Sequence, residues 1–150
     1  MKIVDVNVLL YVVNRDTANH ARARAWWEAA LSDDDEALGL PWTVVLGFLR
    51  VATSARIFPN PLPLEVALET VDAWLSEHNV RIVRERDDHW HYLRRLVGHV
   101  GAAGNMATDA YLAALALTHD AVLVSFDNDF ARFDGLRWEN PGRIALTGAH

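Results

Sequence analysis

Cysteine is absent from the 150 residues, which excludes a disulfide framework, a zinc–thiolate site and a thiol nucleophile. Any metal must be held by oxygen or imidazole, which points towards hard cations. Lysine is nearly absent too: Lys2 stands alone, and thirteen of the fourteen basic residues are arginine. No apolar run approaches the roughly 18 residues that a membrane-spanning helix needs. An early carboxylate, Asp5, breaks any signal-peptide core, so a cytoplasmic chain with no membrane partner is expected. There is no internal repeat, and the only low-complexity stretch is Asp33 to Asp35. No Gly-rich phosphate loop, Ser/His/Asp order or nucleotide fingerprint stands out.

What is present suits one compact domain spanning residues 1–150: 51% hydrophobic and 23% charged residues can bury enough apolar surface to offset chain entropy. The net charge of −6 argues against the plain basic surface of a nucleic-acid binder. The arginines nevertheless cluster at Arg22 and Arg24, at Arg81, Arg84 and Arg86, and at Arg94 and Arg95. Their planar two-pronged donors grip phosphate, although solvated charge on a helix face explains such clusters as well.

Apolar runs rich in β-branched residues alternate along the chain with helical patterns. Ile3 to Tyr11 reads as a buried strand leading into a loop, with Asp5 and Asn7 on one side of it. Asp16 and Thr17 suit the cap of a helix through Leu31, and Ser32 to Asp35 forms a solvated turn. A strand around Ala37 to Leu40 leads to a helix from Trp42 to Ser54, entered through Pro41 and apolar enough to be buried. Arg56 to Pro63 holds three of the five prolines and forms a rigid connection. A helix from Leu64 to Glu77 follows, with Val66, Leu68, Val71, Trp74 and Leu75 as its apolar stripe. Then come a strand over Val80 to Val83, a helix capped by Asp87 or Asp88 and ending near Val100, and a break at Gly101 to Gly104. A helix from Thr108 to His119, a strand from Ala121 to Phe126, a helical turn from Asn128 to Phe133 and a short strand from Leu136 to Trp138 complete the chain. Strands apolar on both faces, alternating with helices, predict an α/β fold: a parallel sheet in an α/β/α sandwich.

Ligands of an open parallel sheet gather at the carboxyl ends of its strands. Asp5 and Asn7 lie at or beyond the end of the first strand, Asp127 and Asp129 follow AVLVSF, and Asp109 opens a helix. Carboxylates crowded there repel one another unless a divalent cation sits among them. Mg²⁺, or Mn²⁺ in the same site, prefers such oxygen ligands with retained water, and can polarise a phosphate and activate a water for phosphodiester hydrolysis. Ordinary roles compete: Asp109 as an early-helix acid favoured by the helix dipole, Asp127 and Asp129 as turn formers. Asp5 resists that reading, because an unpaired carboxylate in an apolar strand is costly. His89 and His91, two apart on a helix, point to different faces and read as surface residues. Phe48, Trp26, Trp27, Trp42 and Trp74 read as core or partner-facing.

Four segments, VDVNVLLY, LPWTVVLGFLRVAT with the following RIF, GAAGNMATDAYLAALA and VSFDNDFARFDGLRW, resemble in order and spacing the PIN-domain ribonucleases, in particular the VapC toxins of toxin–antitoxin pairs. The similarity spans nearly the whole chain. It implies a PIN-like fold and an endoribonuclease whose Mg²⁺ or Mn²⁺ is held by Asp5, Asp109 and Asp127, with Asn7, Ser125 and Asp129 in support. It also implies an RNA substrate, a VapB-like antitoxin as partner and a homodimer. One departure stands out. Where such nucleases often carry a glutamate on the helix after the second strand, this chain has Gly47, and no acid lies between Glu36 and Glu65. The alternative reading is therefore a catalytically weakened PIN module that binds RNA or antitoxin without efficient cleavage. A phosphotransferase of the haloacid-dehalogenase type expects an aspartate at position 7 and a downstream lysine; here position 7 is Asn7, and Lys2 is the sole lysine.

Overall fold

The computed structural model describes residues 1–101 and 106–143. Its sheet is built from five parallel strands, β1 (Lys2–Val4), β2 (Leu38–Pro41), β3 (Val80–Val83), β4 (Val122–Val124) and β5 (Trp138–Glu139), in the order β3-β2-β1-β4-β5. Six α-helices connect them: α1 (Val6–Val13), α2 (His20–Leu31), α3 (Trp42–Ala52), α4 (Leu64–Leu75), α5 (His89–Val100) and α6 (Met106–Thr118). Helices α1 to α4 pack against one another as one group, and α5 pairs with α6 as the other. The expected parallel α/β/α sandwich is therefore what forms. Its core runs through Ile3, Val4, Leu38, Leu40, Leu123 and Val124 of the three central strands, all fully buried. Gly39 on β2 leaves the space that the Val83 side chain of β3 fills, since a Cβ there would collide with Val83 Cγ2.

The chain leaves β1 towards β2 on one side of the sheet and returns from β3 to β4 on the other. That reversal opens a crevice between the loops after β1 and β4, the place where parallel sheets bind ligands.

The first apolar run is a correction to the sequence reading. It yields three residues of strand, after which Asp5 turns the chain into α1. The Asp5 side chain accepts the Val6 N–H at 2.7 Å and so caps the helix. An apolar run buried between elements satisfies either period, and the cap decides between them. Asn7 accordingly sits in the first turn of α1 rather than on a strand. Other boundaries shift by less. Helix α2 starts at His20, because Thr17 Oγ1 accepts the Asn19 N–H at 3.3 Å in a turn instead of capping the helix. The final strand moves to Trp138–Glu139. Of the break from Gly101 to Gly104, Gly101 ends α5 with φ 77°, and residues 102–104 lie outside the described residues.

Helix α3 is not wholly buried: Trp42 and Leu46 remain 47% and 64% exposed. On α4 the buried face is Ala67, Val71 and Trp74, with Val66 and Leu68 outward. Phe48, Trp27 and Trp74 join the core, their rings meeting at centroid distances of 4.9 and 5.5 Å.

Candidate active site

Asp5 leaves the sheet at the end of β1, its N–H still bonded to the Val124 carbonyl. The carboxylate is buried and lies beside the start of the loop after β4. Ser125 Oγ donates to Asp5 Oδ2 at 2.7 Å and accepts from Asn7 Nδ2 and from the Asp127 N–H, both at 3.0 Å. A hydroxyl has one proton to give and two lone pairs. All three are in use, so Ser125 is a fastening between two loops and has no lone pair free to attack as a nucleophile. Asn7 completes the junction: its Oδ1 accepts the Phe126 N–H at 3.1 Å, and its Nδ2 also lies 3.4 Å from Asp5 Oδ2.

Asp127 Oδ1 accepts the Asp129 N–H at 2.9 Å and starts the short 3-10 helix Asn128–Arg132. The turn-forming role read from sequence is thus real, and it coexists with a place beside Asp5. Asp109, in the first turn of α6, approaches from the opposite group of helices. It is half-buried, and among the described residues its carboxylate accepts no hydrogen bond.

Electrostatics connect the four acids. Desolvation, then repulsion from Asp127, Asp5 and Asp129, pushes the Asp109 carboxyl up to about 6, and Arg132 alone pulls it back. Burial also pushes Asp5 up, partly offset by its bonds from Ser125 and Val6, with Asp127 adding to the rise. The structure therefore brings Asp5, Asn7, Ser125, Asp109, Asp127 and Asp129 to one edge, although three of the acids come from separate parts of the chain.

The donor set is all oxygen and carries excess negative charge, which suits Mg²⁺ or Mn²⁺ and not a soft metal. Among the described residues no three of these acids close on a single point as a ready-made cage. Mg²⁺ is ordinarily held by one or two carboxylates plus water, so an open arrangement fits it. Of the lone pairs on Asp5, those facing Val6, Ser125 and Asn7 are taken, which leaves room for one further ligand.

One residue went unrecognised in the sequence and another was misplaced. Arg132 pairs with Asp129 at 3.4 Å and is the cation that offsets the repulsion on Asp109, and it belongs to none of the conspicuous arginine clusters. The i,i+3 spacing from Asp129 was the available signal. His89 is 8% exposed and so is a buried residue, contrary to expectation; its ring packs edge-on against Tyr111. His91 is exposed, as read.

Residues 2–136 match the model of the PIN domain. The chain is 44% identical over 141 residues to Ribonuclease VapC37 of Mycobacterium tuberculosis, covering 94% of this chain and 97% of the relative. The chain belongs to the PIN-domain family, among the VapC ribonucleases. Ribonuclease VapC33 of the same organism is 40% identical over 143 residues, 95% of this chain and 99% of that one. Among solved structures, the VapBC2 complex of Rickettsia felis bound to a promoter DNA fragment superposes with a TM-score of 0.68 at 19% identity, over 93% of this chain and 97% of that one. VapC20 of Mycobacterium tuberculosis, described as a sarcin–ricin loop cleaving toxin, superposes at 0.63 with 19% identity, over 87% and 93%. At such identities the likeness establishes the PIN fold alone. Membership in the family disposes of the dehalogenase-type reading, and no described helix is long and apolar enough to cross a membrane.

Proposed function

We propose that this VapC-type ribonuclease hydrolyses RNA phosphodiester bonds with a divalent cation, Mg²⁺ or Mn²⁺, at the edge formed by Asp5, Asp109 and Asp127, with one or two of the carboxylates as direct ligands and the rest acting through water. The observation that carries the reading is Asp109: a half-buried carboxylate without a hydrogen bond among the described residues, pushed up to about 6 by desolvation and by three neighbouring acids. Such a group is destabilised until a cation arrives. When bound, the ion supplies charge neutralisation for the phosphate and a more acidic water.

The chain's own residues do the rest. Ser125 and Asn7 hold the Asp5 carboxylate to one orientation and tie the loop after β4 to α1. Asp127 is fixed through the Asp129 N–H. Arg132 lies where a cationic fork can meet a phosphate flanking the scissile bond, its hold on Asp129 being an exposed pair that exchanges at little cost. Single-stranded or looped RNA is the substrate class, because an open edge admits a strand whose backbone is accessible. A VapB-type antitoxin is the partner, as in the VapBC complexes that share this fold. A homodimer acting in the cytoplasm completes the reading.

The test is cleavage of a looped RNA by the purified chain with Mg²⁺, Mn²⁺ or chelator. Asp5→Asn and Asp109→Asn should each lose at least about a hundredfold in rate while remaining folded; full cleavage by both variants would refute the assignment. The weakened-module reading keeps one observation in its favour, Gly47 on α3, whose Cβ position lies 3.4 Å from the Val6 side chain, next to Asp5. Wild-type protein that binds RNA tightly yet leaves it intact in Mn²⁺ would establish that reading.

A further inference from the structure

Helix α6 has an unusual problem of orientation. From Ala110 to Ala116 it is almost entirely buried, and the buried residues Ala110, Leu112, Ala113, Ala114, Leu115 and Ala116 go all the way round the helix. An amphipathic helix is set in rotation by which face is apolar. One that is apolar all round has no such preference, and alanines offer few ridges to lock it. Yet α6 must present Asp109 to Asp5 and Asp127, and among the described residues the Asp109 carboxylate has no hydrogen bond to hold it there.

Directional bonds to α6 are made two residues further on. A step of two residues turns about 200° around a helix, so Tyr111 faces away from Asp109. Its hydroxyl donates to Glu85 in the segment after β3, and Thr43 at the start of α3 lies near it. Its ring lies edge-on to His89 at 5.1 Å between centroids. Neither nitrogen of that buried histidine finds a partner among the described residues, so His89 serves here as a wall and not as a ligand. Tyr111 is thus bonded to the segment after β3 and packed against the start of α5, on a face of α6 turned away from Asp109.

We propose that Tyr111, held by Glu85, is a positioning residue that fixes the rotation of α6 and with it the placement of Asp109 against Asp5 and Asp127. The proposal rests on the reading of Asp109 as an ion-holding carboxylate. Its leverage is geometric: turning a helix by about 20° carries a carboxylate roughly 6 Å from the axis through about 2 Å. A displacement of that size is enough to spoil an ion site.

The test compares Tyr111→Phe, Glu85→Ala, Glu85→Gln and Thr43→Val with wild type. Binding of Mn²⁺ without RNA is followed by calorimetry, melting is followed in chelator, and kcat and KM are measured on RNA. Tyr111→Phe keeps the ring and should melt close to wild type. Its Mn²⁺ dissociation constant should rise at least about tenfold and kcat should fall in step, with KM for RNA unchanged. Glu85→Ala should match it, Thr43→Val should show a smaller loss, and Glu85→Gln, whose amide oxygen still accepts the phenol, should restore wild-type Mn²⁺ affinity. Variants that melt earlier but bind Mn²⁺ like wild type would overturn the proposal, as would full Mn²⁺ affinity in both Tyr111→Phe and Glu85→Ala. If Tyr111→Phe fails to fold, the exposed Glu85 pair carries the same comparison. A wild-type protein that binds no Mn²⁺ and cleaves without it overturns the ion-site reading itself, an outcome distinct from variants that merely equal the wild type.

Discussion

Asp5 and Asp109 occupy opposite positions at the same edge. Asp5 is buried among donors that favour its charge; Asp109 is half exposed with no donor among the described residues and three like charges nearby. The Asp109 carboxyl is raised from 3.8 to about 6. Its ionised form is therefore less favourable in the folded chain than in the unfolded one, and stability present below pH 3.8 is lost as pH rises through about 6. Ion-free protein should lose melting temperature between about pH 4 and about pH 7 relative to Asp109→Asn, with no further divergence above that, as a thermal melt in chelator would show. Ser125→Ala removes the strongest donor to Asp5 and leaves the Asn7 amide and the Asp127 N–H without their acceptor. Chemical denaturation should show a loss of about 2–4 kcal/mol, and Ser125→Thr should recover most of it. Asp5 stood out in the sequence because a carboxylate in an apolar run has no cheap explanation, whereas Asp109 and Asp127 also read as ordinary helix and turn acids. Ser125 became visible only through family resemblance, since a serine in a strand carries no such penalty. Tyr111 gave no sign, because its partners are distant in sequence, and the one signal for Arg132, its i,i+3 spacing from Asp129, reads as an ordinary helix pair.

At the scale of elements, both strand–helix alternation and sheet direction could be read, because buried parallel strands are apolar on both faces. The turn from β1 into α1 could not, since Val6 to Val13 is apolar under either period and only the cap formed by Asp5 settles it. The exposed Trp42 and Leu46 were missed for the converse reason: an apolar helix implies a buried one only when something covers it. Gly47 is an element-scale question with a direct answer. Space at its Cβ position is ordinary van der Waals contact with Val6, at 3.4 and 3.8 Å. Gly47→Glu should therefore be accommodated and extend a further carboxylate towards the acid edge. Calorimetry should show Mg²⁺ affinity tightened about tenfold, with helix propensity adding slightly to stability. Unchanged affinity would mean that the missing glutamate is not what limits ion binding.

For the molecule as a whole, a net charge of −6 and four neighbouring acids should make divalent cations stabilising in two ways, through the proposed site and through relief of self-repulsion. Mg²⁺ at about ten times its dissociation constant contributes about 1.4 kcal/mol, which for a chain of this size raises the melting temperature by roughly 3–5 °C. The shift should be largest above pH 7, where Asp109 is ionised, and absent in the Asp5→Asn, Asp109→Asn double variant. A shift of equal size in that variant would assign the effect to general charge screening.

The sheet order has a temporal meaning as well. β1 is made first but lies in the middle of the sheet, and its Asp5 reaches its fastening serine only across 120 residues of intervening chain. While the chain is being translated, the amino-terminal half can dock α1 to α4 onto three strands, yet half of the cutting edge does not exist. The acid edge therefore cannot assemble until the carboxyl-terminal strands have emerged to form the far side of the crevice.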